Sequence, residues 1–146
     1  METYAECSNA KENKTMNDRF NKKVAKKIEG LNVKDVYNFL ARRIKGQHKA
    51  IISVAVYVMK YLEAVANNKE IPANIIITAP SGCGKTETYR AINEMFLEKE
   101  IPIPVIQIDT TDMLGGKSIN DIAAQIIDSM IDVENRGLVY NFNWQN

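Results

Sequence analysis

The sequence predicts an α/β protein, a three-layer αβα arrangement around a parallel sheet, preceded by helices. Two short β-branched runs, "ANIIITA" (73–79) and "VIQIDT" (105–110), are each followed by a stretch of helical periodicity, and "RGLVY" (136–140) opens a third run. Strand–helix alternation of this kind calls for parallel strands joined by right-handed crossovers. A run that is apolar throughout, rather than alternating, suits a strand buried on both faces. The chain has 146 residues, 45% of them hydrophobic, enough for one domain with a real core and too few for two ordinary ones.

The elements follow in order. Residues 1–14 are polar and unpatterned, which predicts disorder at the start of a basic leader spanning residues 1–30. Phe20, Val24 and Ile28 recur every four residues and predict a short helix ending at Gly30. Leu31, Val33, Val36, Tyr37, Leu40 and Ile44 predict a second helix, stopped by Gly46. Residues 47–68 are apolar enough through Ile51–Val58 to suggest a strand, but their length and the continuation in Tyr61, Leu62 and Val65 favour a third helix. Residues 84–100 form a helix with Ala91, Ile92, Met95 and Phe96 inward, ended by "IPIP", and residues 118–132 a helix whose first turn Ser118 can cap.

Bulk properties narrow the classes of function. The net charge is +1, but residues 1–50 carry 12 Lys and Arg against 6 Asp and Glu, and residues 51–146 carry 7 against 12. The basic half lacks the interleaved aromatics of a base-stacking surface, so a solvated helix face is expected and nucleic acid is not. Cys7 and Cys83 lie far apart, suggesting neither a disulfide framework nor a metal cluster. No segment has the length of a membrane span or the make-up of a signal peptide, which points to a cytoplasmic protein.

Between the first predicted strand and the fourth helix stand Ala79, Pro80, Ser81, Gly82, Cys83, Gly84, Lys85 and Thr86. They fit the phosphate-loop pattern G-x-x-x-x-G-K-[ST] at every position but the first. In such a loop, backbone N–H groups turn inward around phosphate oxygens at the positive end of a helix. The lysine reaches the outer phosphates and the hydroxyl holds magnesium. The departure at Ala79 is tolerable if that residue keeps a negative φ. The expected ligands are therefore ATP or ADP with Mg2+, contacted by Pro80, Ser81, Gly82, Cys83, Gly84, Lys85, Thr86 and Glu87, with Thr86 as the metal residue. A reactive role for Cys83 is weighed against a small side chain filling a variable position. Glu87 reads as a first-turn residue that complements the helix dipole rather than as a base. His48 reads as a surface helix residue, and Asp109 as a capping or surface residue.

The stretch "IIITAPSGCGKTE" resembles the first strand and Walker A loop of AAA+ unfoldases of the ClpX and HslU type, and "RRIKGQHKAIISVAVYVMKYL" resembles the segment that precedes that loop in them. The resemblance implies an incomplete P-loop NTPase (AAA+) domain over residues 31–146, adenine contact by Ile44, ATP-driven unfolding of proteins for a protease, and a hexameric ring. Lys45 stands where the family has an apolar residue. Met113, Leu114, Gly115 and Gly116 replace the glycine–aromatic–valine–glycine pore loop. Asn141, Phe142 and Asn143 stand where the family continues with the Walker B aspartate and glutamate. These acids hold the magnesium shell and polarise the attacking water, so hydrolysis by this chain alone is not expected and no catalytic residue is assigned. A regulatory nucleotide-binding module and a P-loop nucleotide kinase are the competing readings.

Overall fold

A computed structural model describes residues 4–108, 116 and 118–135. Among these residues five α-helices run in chain order: α1 (Tyr4–Lys27), α2 (Val33–Arg43), α3 (His48–Ala66), α4 (Lys85–Glu98) and α5 (Ile119–Asn135). Among the described residues there is no strand, and the α/β class expected from the sequence is overturned. The reason is physical. A strand exists only as a member of a hydrogen-bonded ladder, and β-branched residues favour extended backbone without supplying a partner. Residues 73–79 carry no regular structure, and Ile75, Ile76 and Ile77 are 41%, 86% and 44% exposed where a doubly covered strand would hide them. The part of the second run that is described, 105–108, is likewise irregular, and the third run lies outside the described residues.

The helices themselves follow from local chemistry. α1 begins at Tyr4, well ahead of the helix expected over residues 17–30. α2 opens with a capping box in which the Asn32 side chain accepts from the Asp35 N–H at 3.0 Å and the Asp35 carboxylate accepts from the Asn32 N–H at 3.1 Å. α3 ends with Asn68 at φ 52°, its N–H donating to the Val65 carbonyl while the Lys69 N–H donates to that of Ala64. α4 ends the same way, with Glu100 at φ 54° and the N–H groups of Glu100 and Ile101 reaching back to Leu97 and Phe96. Both are six-to-one, five-to-two closures that satisfy the orphan carbonyls of a helix end. At α5 the Ser118 hydroxyl meets the Asp121 carboxylate, which also accepts from the Ser118 N–H, rather than bonding a first-turn amide as the sequence suggested.

The core forms where α3 is covered by α1 and α2, and α4 packs in turn on α2. Ile51, Val54, Ala55, Val58, Met59 and Leu62 of α3 meet Val24 of α1 and Val36 and Leu40 of α2. Ala91, Met95 and Phe96 extend the core into α4, and the closure at Glu100 returns Ile101 to it, 1% exposed. Among the described residues α5 adds no side chain to the buried core, and its Ile126, Ile127 and Ile131 are exposed. No helix among the described residues is long and apolar enough to cross a membrane.

Leu62 is fully buried at the centre of this cluster. Leu62→Ala is expected to lower unfolding free energy by about 2–5 kcal/mol, because the lost methyl groups leave a cavity that three helices cannot close. Urea denaturation followed by helical circular dichroism measures it; a loss below about 1 kcal/mol would contradict this core.

Candidate phosphate-binding loop

The loop is shaped by two glycines. Gly82 sits at φ 81° and Gly84 at φ 89°, left-handed conformations that side-chain-bearing residues adopt only with strain. Gly84 is the N-cap of α4 and supplies no side-chain cap, so the helix starts at Lys85 with uncapped amides. The Thr88 N–H is the first to find an intrahelical acceptor, the Gly84 carbonyl at 2.9 Å. Among the described residues no protein acceptor meets the N–H groups of Gly84, Lys85, Thr86 or Glu87. Ala79 stays outside the left-handed region, which is what alanine at that position requires.

The side chains complete a donor set. Lys85 Nζ folds back on the loop and donates to the carbonyls of Ala79 and Pro80, the latter at 3.0 Å. Pro80, Ser81, Gly82, Lys85 and Thr86 are exposed, and Cys83 and Gly84 half-buried, so an anion can reach the loop. Free amides, an ammonium and a hydroxyl within one tight turn fit a polyphosphate and its magnesium. No group of three or more acidic, histidine or cysteine side chains suited to a metal occurs among the described residues. Magnesium, which keeps several waters and takes its other ligands from phosphate, does not need such a cage.

Ile44, named as an adenine contact, is brought to the loop: its Cγ2 lies 3.6 Å from the position a Cβ would take on Gly84. It is also 6% exposed and part of the core, so it offers little surface for stacking. Lys45 spends its ammonium on the Ala41 carbonyl at 2.8 Å, closing the end of α2. His48 shares a 2.7 Å hydrogen bond with the Tyr37 hydroxyl and ties α2 to the start of α3. Asp109, Met113, Leu114, Gly115, Asn141, Phe142 and Asn143 lie outside the described residues. A cavity of about 210 Å³ lined by Tyr89, Asn93, Phe96, Ile101, Val105 and Asp132 lies between α4, the segment after it and α5, and no loop residue lines it.

An ion network beside the loop was not anticipated from the sequence. Arg43, the last residue of α2, grips the Glu94 carboxylate through Nε at 2.8 Å and through Nη2, and places Nη1 3.1 Å from Glu87. Arg90 Nη1 takes the other Glu87 oxygen at 2.5 Å. The signal was present as the 87, 90, 94 spacing, which puts three charged residues on one face of α4. The hydrogen bond from Arg90, then that from Arg43, holds the Glu87 carboxyl below its ordinary pKa, and Arg43 does the same to Glu94.

A carboxyl with a lower pKa folded than unfolded favours the fold above its unfolded value, about 4.3, and loses that contribution as pH falls through the depressed folded value. The melting temperature is therefore expected to fall between about pH 5 and pH 3, less steeply in Glu94→Gln; melts across that window check it. Gly84→Ala is expected to cost about 1–2 kcal/mol from the positive φ alone, since the new Cβ would meet Ile44 at ordinary contact distance. An unchanged melting temperature in that variant would contradict the left-handed cap.

Over 81 residues, 56% of the chain, the sequence is 32% identical to Chaperone protein ClpB of Corynebacterium efficiens, and the match covers 9% of that protein's length. No family model matches the chain. No solved structure matches it significantly. ClpB is an AAA+ chaperone, so the similarity hints at AAA+ proteins in general and does not single out the ClpX and HslU branch.

Proposed function

We propose that the chain binds the polyphosphate of ATP or ADP, with Mg2+, through the loop 79–86. The observation that carries this reading is the left-handed cap at Gly84, which leaves the first amides of α4 open in the same turn whose carbonyls, at Ala79 and Pro80, hold the Lys85 ammonium. Amides, ammonium and helix dipole then act on the same charge. Lys85 would exchange its bonds to the Ala79 and Pro80 carbonyls for phosphate oxygens, and Thr86 would hold the metal. When bound, the nucleotide supplies a phosphoanhydride; the residues described around the loop offer it positioning and charge. Asn141, Phe142 and Asn143 provide neither the metal-holding acid nor the water-polarising base of an AAA+ ATPase, so the chain binds rather than splits ATP.

The physiological role we infer is that of an AAA+ chaperone-related nucleotide-binding module. The ClpB similarity supports that coarse relationship. Unfolding of proteins for a protease, as in ClpX and HslU, and work within a hexameric ring, are the finer form of the same proposal, supported by the residues of 42–62 and 75–87 that resemble those proteins. A regulatory module that senses nucleotide without turnover is the second reading, favoured by the missing acidic pair.

Titration with a fluorescent ATP analogue in magnesium is expected to give saturable binding that Lys85→Ala weakens at least tenfold, the loss of one charge-assisted contact to phosphate. Equal affinity in the two proteins would remove the loop from the site. Phosphate release from ATP is expected not to exceed that of Lys85→Ala.

A further inference from the structure

We propose that Arg43 is a positioning residue for phosphate binding: it fixes the first turn of α4 and neutralises Glu87 at the place where polyphosphate would arrive. The inference rests on the nucleotide reading above. Its own basis is the juxtaposition of two consecutive residues, Arg43 and Ile44, against both sides of the loop-to-helix junction.

The first contact is apolar. Ile44 Cγ2 stands 3.6 Å from the Cβ position of Gly84, so the chain after α2 abuts the residue that turns the loop into the helix. The second is ionic. Arg43 spans the exposed side of α4 from Glu87 in its first turn to Glu94 two turns on, binding Glu94 with two nitrogens and Glu87 with the third. A guanidinium can serve two carboxylates at fixed angles, and an ammonium, being a point charge on a flexible stem, cannot do so in the same geometry.

Charge gives the contact its consequence for binding. Glu87 follows the metal residue Thr86 directly and lies at the helix end that attracts anions. A carboxylate there suits the helix dipole and opposes a polyphosphate in the same field. In this protein both Glu87 oxygens are engaged, one by Arg43 and one by Arg90, so the cluster of two arginines and two glutamates carries no net charge. Removing Arg43 leaves two carboxylates with one cation beside the phosphate loop.

The test compares the affinities of the full chain for Mg·ATP and for inorganic tripolyphosphate by calorimetry, with melting temperatures measured alongside. Arg43→Ala is expected to weaken both ligands about tenfold, and Arg43→Lys about threefold. The double variant Arg43→Ala/Glu87→Gln is expected to recover most of the loss, because it removes the carboxylate nearest the loop and restores the charge balance of the cluster. A purely structural role predicts the opposite, a double variant that binds no better than Arg43→Ala. That result, or an Arg43→Ala affinity within twofold of the parent while Lys85→Ala loses binding, would overturn the inference. Unchanged binding in Lys85→Ala would instead overturn the nucleotide reading beneath it. Should Arg43→Ala fail to fold, the comparison of Arg43→Lys with Arg43→Lys/Glu87→Gln carries the same contrast.

Discussion

The burial of α3 is the constraint on which the rest depends. From Ile51 to Leu62 this helix presents apolar side chains at every turn, and no arrangement of the chain leaves them in water without loss. α1 covers it with Val24, and α2 covers it with Val36 and Leu40. Once α2 is fixed in this way, its far end at Arg43 and Ile44 is fixed too, and α4 docks on α2 rather than directly on α3. The glycine-rich loop thus hangs from the core through one intermediary helix.

That hierarchy explains how an exposed glycine-rich turn keeps a defined shape. Left-handed glycines permit the turn but do not enforce it, since glycine's freedom is as available to the unfolded chain as to the folded one. Enforcement comes from α4, anchored by Ala91, Met95 and Phe96, and from the closure at Glu100 that returns Ile101 to the core. The salt bridge between Lys27 and Glu100, at 2.6 Å, adds a tie from the end of α1 to that same closure. Exposed pairs of this sort contribute little singly, and their effect here is to select an orientation for a helix already held by apolar contacts.

The features of nucleotide-binding chemistry and those of the fold stand apart in this protein. Loop, lysine and hydroxyl carry the proposed phosphate binding, and the similarity to ClpB hints at AAA+ proteins in general. The parallel sheet that usually presents such a loop has no counterpart among the described residues. What presents the loop instead is a helix start braced by a second helix, with Ile44 and Arg43 on the side where a neighbouring element is needed. Anion binding at a helix N-terminus depends on oriented amides and the dipole, and these are properties of α4 itself.

The sequence by itself determined the core-facing stretches of α2, α3 and α4 and the glycine turn into α4. Apolar spacing at Val36 and Leu40, at Val54, Val58 and Leu62, and at Ala91 and Met95 marks core faces, because a 3.6-residue period is a local property. The order glycine, cysteine, glycine, lysine, threonine likewise marks a turn into a helix with free amides. Only the tertiary structure decided the fate of Ile75, Ile76 and Ile77, since a strand needs a partner whose identity no local pattern contains, and here no ladder forms around them. It also decided that Arg43 meets Glu87 and Glu94, 44 and 51 residues away, and that Ile44 lies in the core beside the loop rather than open to a ligand. Both facts follow from how α2 and α4 cross, and that geometry is set by packing between residues far apart in the chain.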